Sequence, residues 1–142
     1  MASIALSVAL AGCGLVTPAR TAPLTAAPVA AAVVTDLPEV LQTELAALPA
    51  GDATAGKMLF AAVGCSACHS LEPGVRIVGP SLAGAATRRA GYSAPLYLYE
   101  SFTRPGAYVV AGFPNGVMPP DFKQRLKPNE LADVIAFLLT EK

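Results

Sequence analysis

An all-α fold is predicted for this chain. Three observations carry that prediction. Several stretches repeat apolar residues at helical spacing, no stretch alternates in the manner of a strand, and Gly and Pro punctuate the intervals between the helical stretches. Three or four helices joined by long loops is the architecture that follows.

The last helix is the clearest. Pro128 suits a first helical position and Glu130 favours the positive end of the helix dipole. Leu131, Val134, Ile135 and Leu138 then follow the i, i+3, i+4, i+7 pattern. A middle helix is expected in "APLYLYESFTR", closed by Pro105. An earlier one is expected in "GDATAGKMLFAAVGC", with Asp52 as N-cap and Gly64 as its stop. Its apolar positions, Ala55, Met58, Leu59, Ala62 and Val63, assign Met58 to the packed core. Further upstream, "DLPEVLQTELAAL" reads as a short helix whose face carries Leu37, Val40, Leu41, Glu44 and Leu48.

Three zones follow. Residues 1–16, "MASIALSVALAGCGLV", are apolar and uncharged. Residues 17–50 form a Pro/Ala-rich linker with that short helix. Pro18, Pro23 and Pro28 recur in the stretch 17–34, which at ~3.1 Å per residue in an extended form reaches on the order of 50 Å. The compact domain is expected over 51–142.

Composition excludes some functions. Ten basic residues balance ten acidic ones, and charged residues make up 14% of the chain. A neutral chain without an arginine-rich stripe has no electrostatic case for nucleic acid. Three cysteines, Cys13, Cys65 and Cys68, are too few for a disulfide scaffold.

The chemistry is concentrated in "GCSACHS", Gly64 to Ser70, which holds the chain's one histidine. Residues at i and i+3 on a helical turn project from one face. Cys65 and Cys68 can therefore form thioethers with the two vinyl groups of one haem, and His69 is carried to the iron. A zinc site needs four ligands, and Cys13 is the sole other cysteine, beyond the linker. A thioredoxin-like use of the two cysteines needs a strand–helix pattern that is not seen. One covalently attached haem c is the expected cofactor.

With one histidine in the chain, the sixth ligand cannot be a second one. Methionine is the usual partner, and it raises the reduction potential. Met1 lies beyond the linker and Met58 falls in the apolar pattern of a helix. Met118 lies in "FPNGVMPP", where Gly116 supplies a turn and Pro119 and Pro120 fix φ. The expected iron ligands are His69 and Met118.

Residues 51–142 resemble a small class I cytochrome c domain. The pieces that carry the resemblance are "GKMLFAAVGCSACH", "VGPSLAG", "GVMPP" and "LADVIAFLL". It implies the cytochrome c fold, with first and last helices crossing around the haem and Gly56 and Phe60 meeting Val134 and Phe137. It also implies that the Pro80 carbonyl accepts from the His69 ring, orienting the imidazole. Arg76, Tyr92, Tyr97 and Tyr108 are the groups available for the haem propionates.

The segment "YLYESFTRPGAYVVAGFPNGVMPPDF" is similar to monohaem domains of bacterial respiratory complexes. These are the cytochrome domains attached to oxidase subunit II and the small lipoprotein cytochrome of alternative complex III. No cupredoxin domain is present, which favours the separate lipoprotein cytochrome. "LAGC", Leu10 to Cys13, resembles a lipobox and makes Cys13 the expected lipidation site. No Lys or Arg precedes the apolar run, so an uncleaved apolar anchor beside a partner's membrane helices is the alternative. Either one places the haem domain at the periplasmic face of the cytoplasmic membrane.

The expected function is one-electron transfer, not enzyme catalysis by this chain itself. The expected partners are other subunits of a quinol-oxidising respiratory or photosynthetic complex, and a soluble carrier or oxidase. A haem-based ligand sensor or ligand-activating enzyme, with a displaceable methionine, is the alternative class.

Overall fold

The computed structural model describes residues 29–142, with side chains from residue 38 onward. The apolar stretch 1–16, Cys13 and most of the proline-spaced segment lie outside the described residues. The helices in order are α1 (Val29–Ala46), α2 (Ala53–Ala62), α3 (Cys65–Cys68), α4 (Ala94–Thr103), α5 (Phe122–Arg125) and α6 (Pro128–Thr140), with a 3₁₀ turn at Ala85–Thr87. No strand occurs among the described residues, so the fold is all-α as expected. The two helices beyond the expected number, α3 and α5, are four residues each. They are too short to leave a periodic signal.

Two helix starts are set locally. The Asp52 carboxylate accepts from Thr54 N–H at 2.7 Å and Ala55 N–H at 3.3 Å, which satisfies two free donors of α2. Glu130 accepts from Lys127 N–H at 2.8 Å and closes the first turn of α6. Asp52 N–H also donates to the Asp133 carboxylate at 2.7 Å, joining the two helices. Gly64, at φ +87°, turns the chain out of α2 and into α3.

α2 and α6 cross where the resemblance implies. A Cβ on Gly56 would overlap the Asp133 carbonyl and lie 2.8 Å from Phe137 Cβ. Only glycine allows the two backbones this close. Phe60 and Phe137 meet edge to face at 5.6 Å and 61°, and Val134 beside them is fully buried. Gly51 makes a second close approach, against the Ala132 carbonyl.

The crossing corrects the reading of Met58. That side chain is 67% exposed. With 3.6 residues per turn, a position two from both Gly56 and Phe60 lies on the opposite side of the helix. The contact face of α2 is the Gly56–Phe60 side, and Met58 points to solvent.

The upstream region also differs. α1 is 18 residues long and begins at Val29, so the end of the stretch 17–34 is helical rather than extended. Alanine has high helix propensity, and no proline interrupts the chain from Val29 to Leu37. α1 also packs on the domain expected over 51–142. Leu41 is fully buried in the core shared with α4 and α6, and Leu45 and Leu48 pack on it. Val40, expected on the same face, is 46% exposed. Glu44 accepts from Lys123 Nζ at 2.8 Å and from the Tyr99 hydroxyl at 3.1 Å, tying α1 to α5 and α4.

Candidate functional site

The single turn of α3 places Cys65 and Cys68 on one face, three residues apart. The two are not paired with each other in a disulfide. Burial pushes the Cys65 thiol above its ordinary value. His69 leaves the turn in an extended conformation, its N–H still donating to the Cys65 carbonyl at 2.9 Å.

The His69 ring is held on two sides. Its Nδ1 lies 2.8 Å from the Pro80 carbonyl oxygen. A carbonyl can only accept, so Nδ1 carries the proton and Nε2 presents its lone pair. Gly79 lies against the ring, where a Cβ would sit 2.8 Å from Nδ1 and 3.0 Å from Nε2. The Gly79 N–H donates to the Cys68 carbonyl and the Leu82 N–H to the Ser70 carbonyl, each at 2.8 Å. These two bonds fix the segment that carries Pro80.

His69 and Met118 line the same cavity, of about 320 Å³. Met118 is half-buried, between Gly116 at φ +79° and the two prolines that follow. Cys65 and Cys68 open onto the same space, and Phe60, Phe102 and Phe122 are among its walls. Two cationic side chains, Arg88 and Arg125, also line it. Arg88 is anchored by donating to the Ser81 carbonyl at 2.6 Å.

This donor set fits a haem. Two thiols on one face can take its two vinyl groups, and an imidazole with a free Nε2 can take its iron. Aromatic walls match its apolar face, and the arginines match its carboxylates. Phe102 and Phe122 meet edge to face at 5.8 Å, so α4 and α5 build one wall together.

A family model described as cytochrome c matches residues 53–142. The chain belongs to the cytochrome c family. Its similar relatives include cytochrome c2 iso-1 of Magnetospirillum fulvum, 36% identical over 91 residues, which span 55% of this chain and 91% of the relative. Cytochrome c2 iso-1 of Magnetospirillum molischianum is 33% identical over 90 residues, spanning 55% of this chain and 90% of that one. Cytochrome c2 of Rhodoblastus acidophilus is 51% identical over 43 residues, spanning 30% of this chain and 38% of the relative. As a cytochrome c, the chain binds one covalently attached haem c, with Cys65 and Cys68 in its Cys-x-x-Cys-His motif, and transfers electrons. The family match begins within α2, so α1 lies before the matched residues of this cytochrome c.

Of the residues expected at the site, Cys65, Cys68, His69, Pro80 and Met118 all come to this one cavity. Of the four groups offered to the propionates, Tyr97 and Tyr108 line it and Arg76 and Tyr92 do not. Tyr92 lies under the Arg89 guanidinium at 3.6 Å, and Arg89 pairs with the buried Glu100. Arg76 donates to the Gly112 carbonyl instead. Three residues were not anticipated from sequence: Gly79, Arg88 and Arg125. Gly79 had a signal, a glycine directly before the proline whose carbonyl holds the histidine. The arginines had none, since their distance from the cavity in sequence says nothing of their place beside it.

Proposed function

We propose that this cytochrome c carries single electrons with its iron held between His69 and Met118. It does so tethered at the periplasmic face of the bacterial cytoplasmic membrane. One observation supports the ligand pair above the rest: a Pro80-oriented imidazole and a loop methionine share one cavity. When bound, haem supplies the one-electron couple.

The chain's own residues do the remainder. Cys65 and Cys68 hold the group covalently, so it is not lost in either oxidation state. The Pro80 carbonyl keeps the proton on Nδ1 and increases the basicity of Nε2. Phe60, Phe102 and Phe122 exclude water from the cavity, and Arg88 and Arg125 offset the propionate charges. Met118 would supply the second protein ligand to the iron, and with both ligands in place no position would be open to a substrate, which favours electron transfer over ligand chemistry.

Tethering through Cys13 is supported by the apolar, uncharged run before it and by the "LAGC" sequence. Among the described residues no helix is long and apolar enough to cross a membrane. The similarity of "YLYESFTRPGAYVVAGFPNGVMPPDF" to the lipoprotein cytochrome of alternative complex III supports a place in a quinol-oxidising respiratory or photosynthetic complex. Such a subunit passes electrons to a periplasmic carrier or an oxidase.

The ligand pair is tested by replacing both described methionines in turn. Met118→Ala is expected to abolish the sulfur-to-iron charge-transfer band of the oxidised protein and to lower its potential. Met58→Leu, on the exposed face of α2, is expected to keep both. The reverse pattern would overturn the assignment.

A further inference from the structure

The segment from Pro105 to Pro120 carries Met118 and contains no charged residue. It has no helix, running between the end of α4 and the start of α5. Two local backbone bonds shape it, Ala107 N–H to the Arg104 carbonyl at 2.9 Å and Phe113 N–H to the Val110 carbonyl at 3.1 Å. Near one end Tyr108 packs edge to face on Tyr97 at 5.6 Å. Among the described residues, one hydrogen bond reaches its middle from a distant part of the chain. Arg76 Nη2 donates to the Gly112 carbonyl at 2.8 Å.

The same guanidinium is doubly engaged. Its carbon lies 4.1 Å from the centroid of the Phe113 ring, and Phe113 lines the haem cavity. An arginine can do this because its planar group donates along its edge while its face stacks. Arg76 itself belongs to the segment between His69 and Pro80. Three residues on, Gly79 lies against the imidazole, bonded to the Cys68 carbonyl. Arg76 thus joins the segment that holds the histidine to the loop that holds the methionine.

The geometry points to Arg76 as a strap between the two ligand-bearing segments, a positioning residue that sets how readily Met118 leaves the iron. This rests on Met118 being the sixth ligand. Arg76 does not line the cavity, and its guanidinium is engaged by Gly112 and Phe113. It acts by limiting the excursions of an uncharged loop with few bonds of its own. A loop without the strap opens more often, and an exogenous ligand then competes better for the metal.

The test uses the ferric holoprotein with imidazole as probe, titrated by visible absorption. Arg76→Ala is expected to raise imidazole affinity roughly tenfold, the scale of one hydrogen bond from a charged donor. Arg76→Lys keeps the charge but not the planar fork, and is expected to recover part of the loss. Asp52→Ala removes the α2 cap far from the loop and controls for general destabilisation. It is expected to lower the unfolding temperature and leave imidazole affinity unchanged. Unchanged imidazole affinity in Arg76→Ala, with the charge-transfer band abolished by Met118→Ala, sinks the strap and leaves the ligand pair standing. Equal responses from Arg76→Ala and Asp52→Ala also sink it, reducing Arg76 to ordinary stability. A band that persists in Met118→Ala overturns the ligand pair, and the strap with it.

Discussion

The His69 imidazole is clamped between the Pro80 carbonyl oxygen, 2.8 Å from Nδ1, and the backbone of Gly79 against its ring. Neither contact leaves the ring free to turn. Gly79→Ala places a Cβ inside contact distance of the ring, and the ring cannot yield without stretching the Pro80 bond. The substitution is expected to destabilise by ~1–3 kcal/mol, the usual scale of overpacking, and to shift the reduction potential. Denaturant unfolding and a redox titration of the holoprotein check both. Loss of stability with an unmoved potential would show that the glycine serves packing alone.

The crossing of α2 and α6 has no slack at Gly56. A valine there would drive its side chain into the Asp133 carbonyl and Phe137. Gly56→Val is expected to destabilise by more than the ~1–3 kcal/mol typical of overpacking, because backbone rather than a flexible side chain must move. Thermal unfolding measures it. An unchanged transition would contradict the close approach.

The bond from Lys123 to Glu44 carries a pH signature. It holds the Glu44 carboxyl below its ordinary value and, as the largest influence, raises Lys123. Burial raises the Tyr99 phenol, with its bond to Glu44 adding to that. A lowered Glu44 adds stability that is present above its unfolded pKa and is lost as pH falls through the folded value. A raised Lys123 adds stability present below its unfolded pKa and lost as pH rises through the folded one. Both groups are partly exposed, so the pair belongs to the ~0.2–1 kcal/mol scale of surface ion pairs. Glu44→Gln is expected to reduce stability at neutral pH by that order and to flatten the acidic limb of a stability–pH curve. An identical curve for parent and variant refutes the contribution.

Tethering predicts a change of compartment without a change of chemistry. Cys13→Ser is expected to release the haem protein into the soluble periplasmic fraction with its visible spectrum intact. An uncleaved apolar anchor predicts that the variant stays with the membrane. N-terminal peptide mass measurement separates the two. A lipid-bearing peptide beginning at Cys13 supports the lipid anchor, and an unmodified peptide spanning Ser3 to Cys13 refutes it.

What the sequence by itself determined was chemistry confined to short spans. Cys65, Cys68 and His69 are related by one helical turn, so their spacing alone carries the attachment geometry. The Asp52 cap, the start of α6 at Pro128 and the end of α4 before Pro105 are also local, each written in the residues at the helix end. The mixture of Gly116, Pro119 and Pro120 marked a stiffened turn around Met118 for the same reason. The family resemblance added the Gly56 crossing and the Pro80 carbonyl, which spacing alone does not give.

The tertiary structure decided which side of each element meets another. Met58 fits the apolar pattern of α2, yet Gly56 must face α6, and that requirement turns Met58 outward. Leu41 and Glu44 were on a helix that read as part of a linker until α4 and α5 supplied a surface for them. Arg88 and Arg125 stand at the cavity, while Arg76 reaches across to Gly112, although nothing in the neighbourhoods of these arginines distinguishes them. A hydrogen bond or a close contact forms between positions far apart in the chain, and its energy depends on a separation that local sequence does not encode.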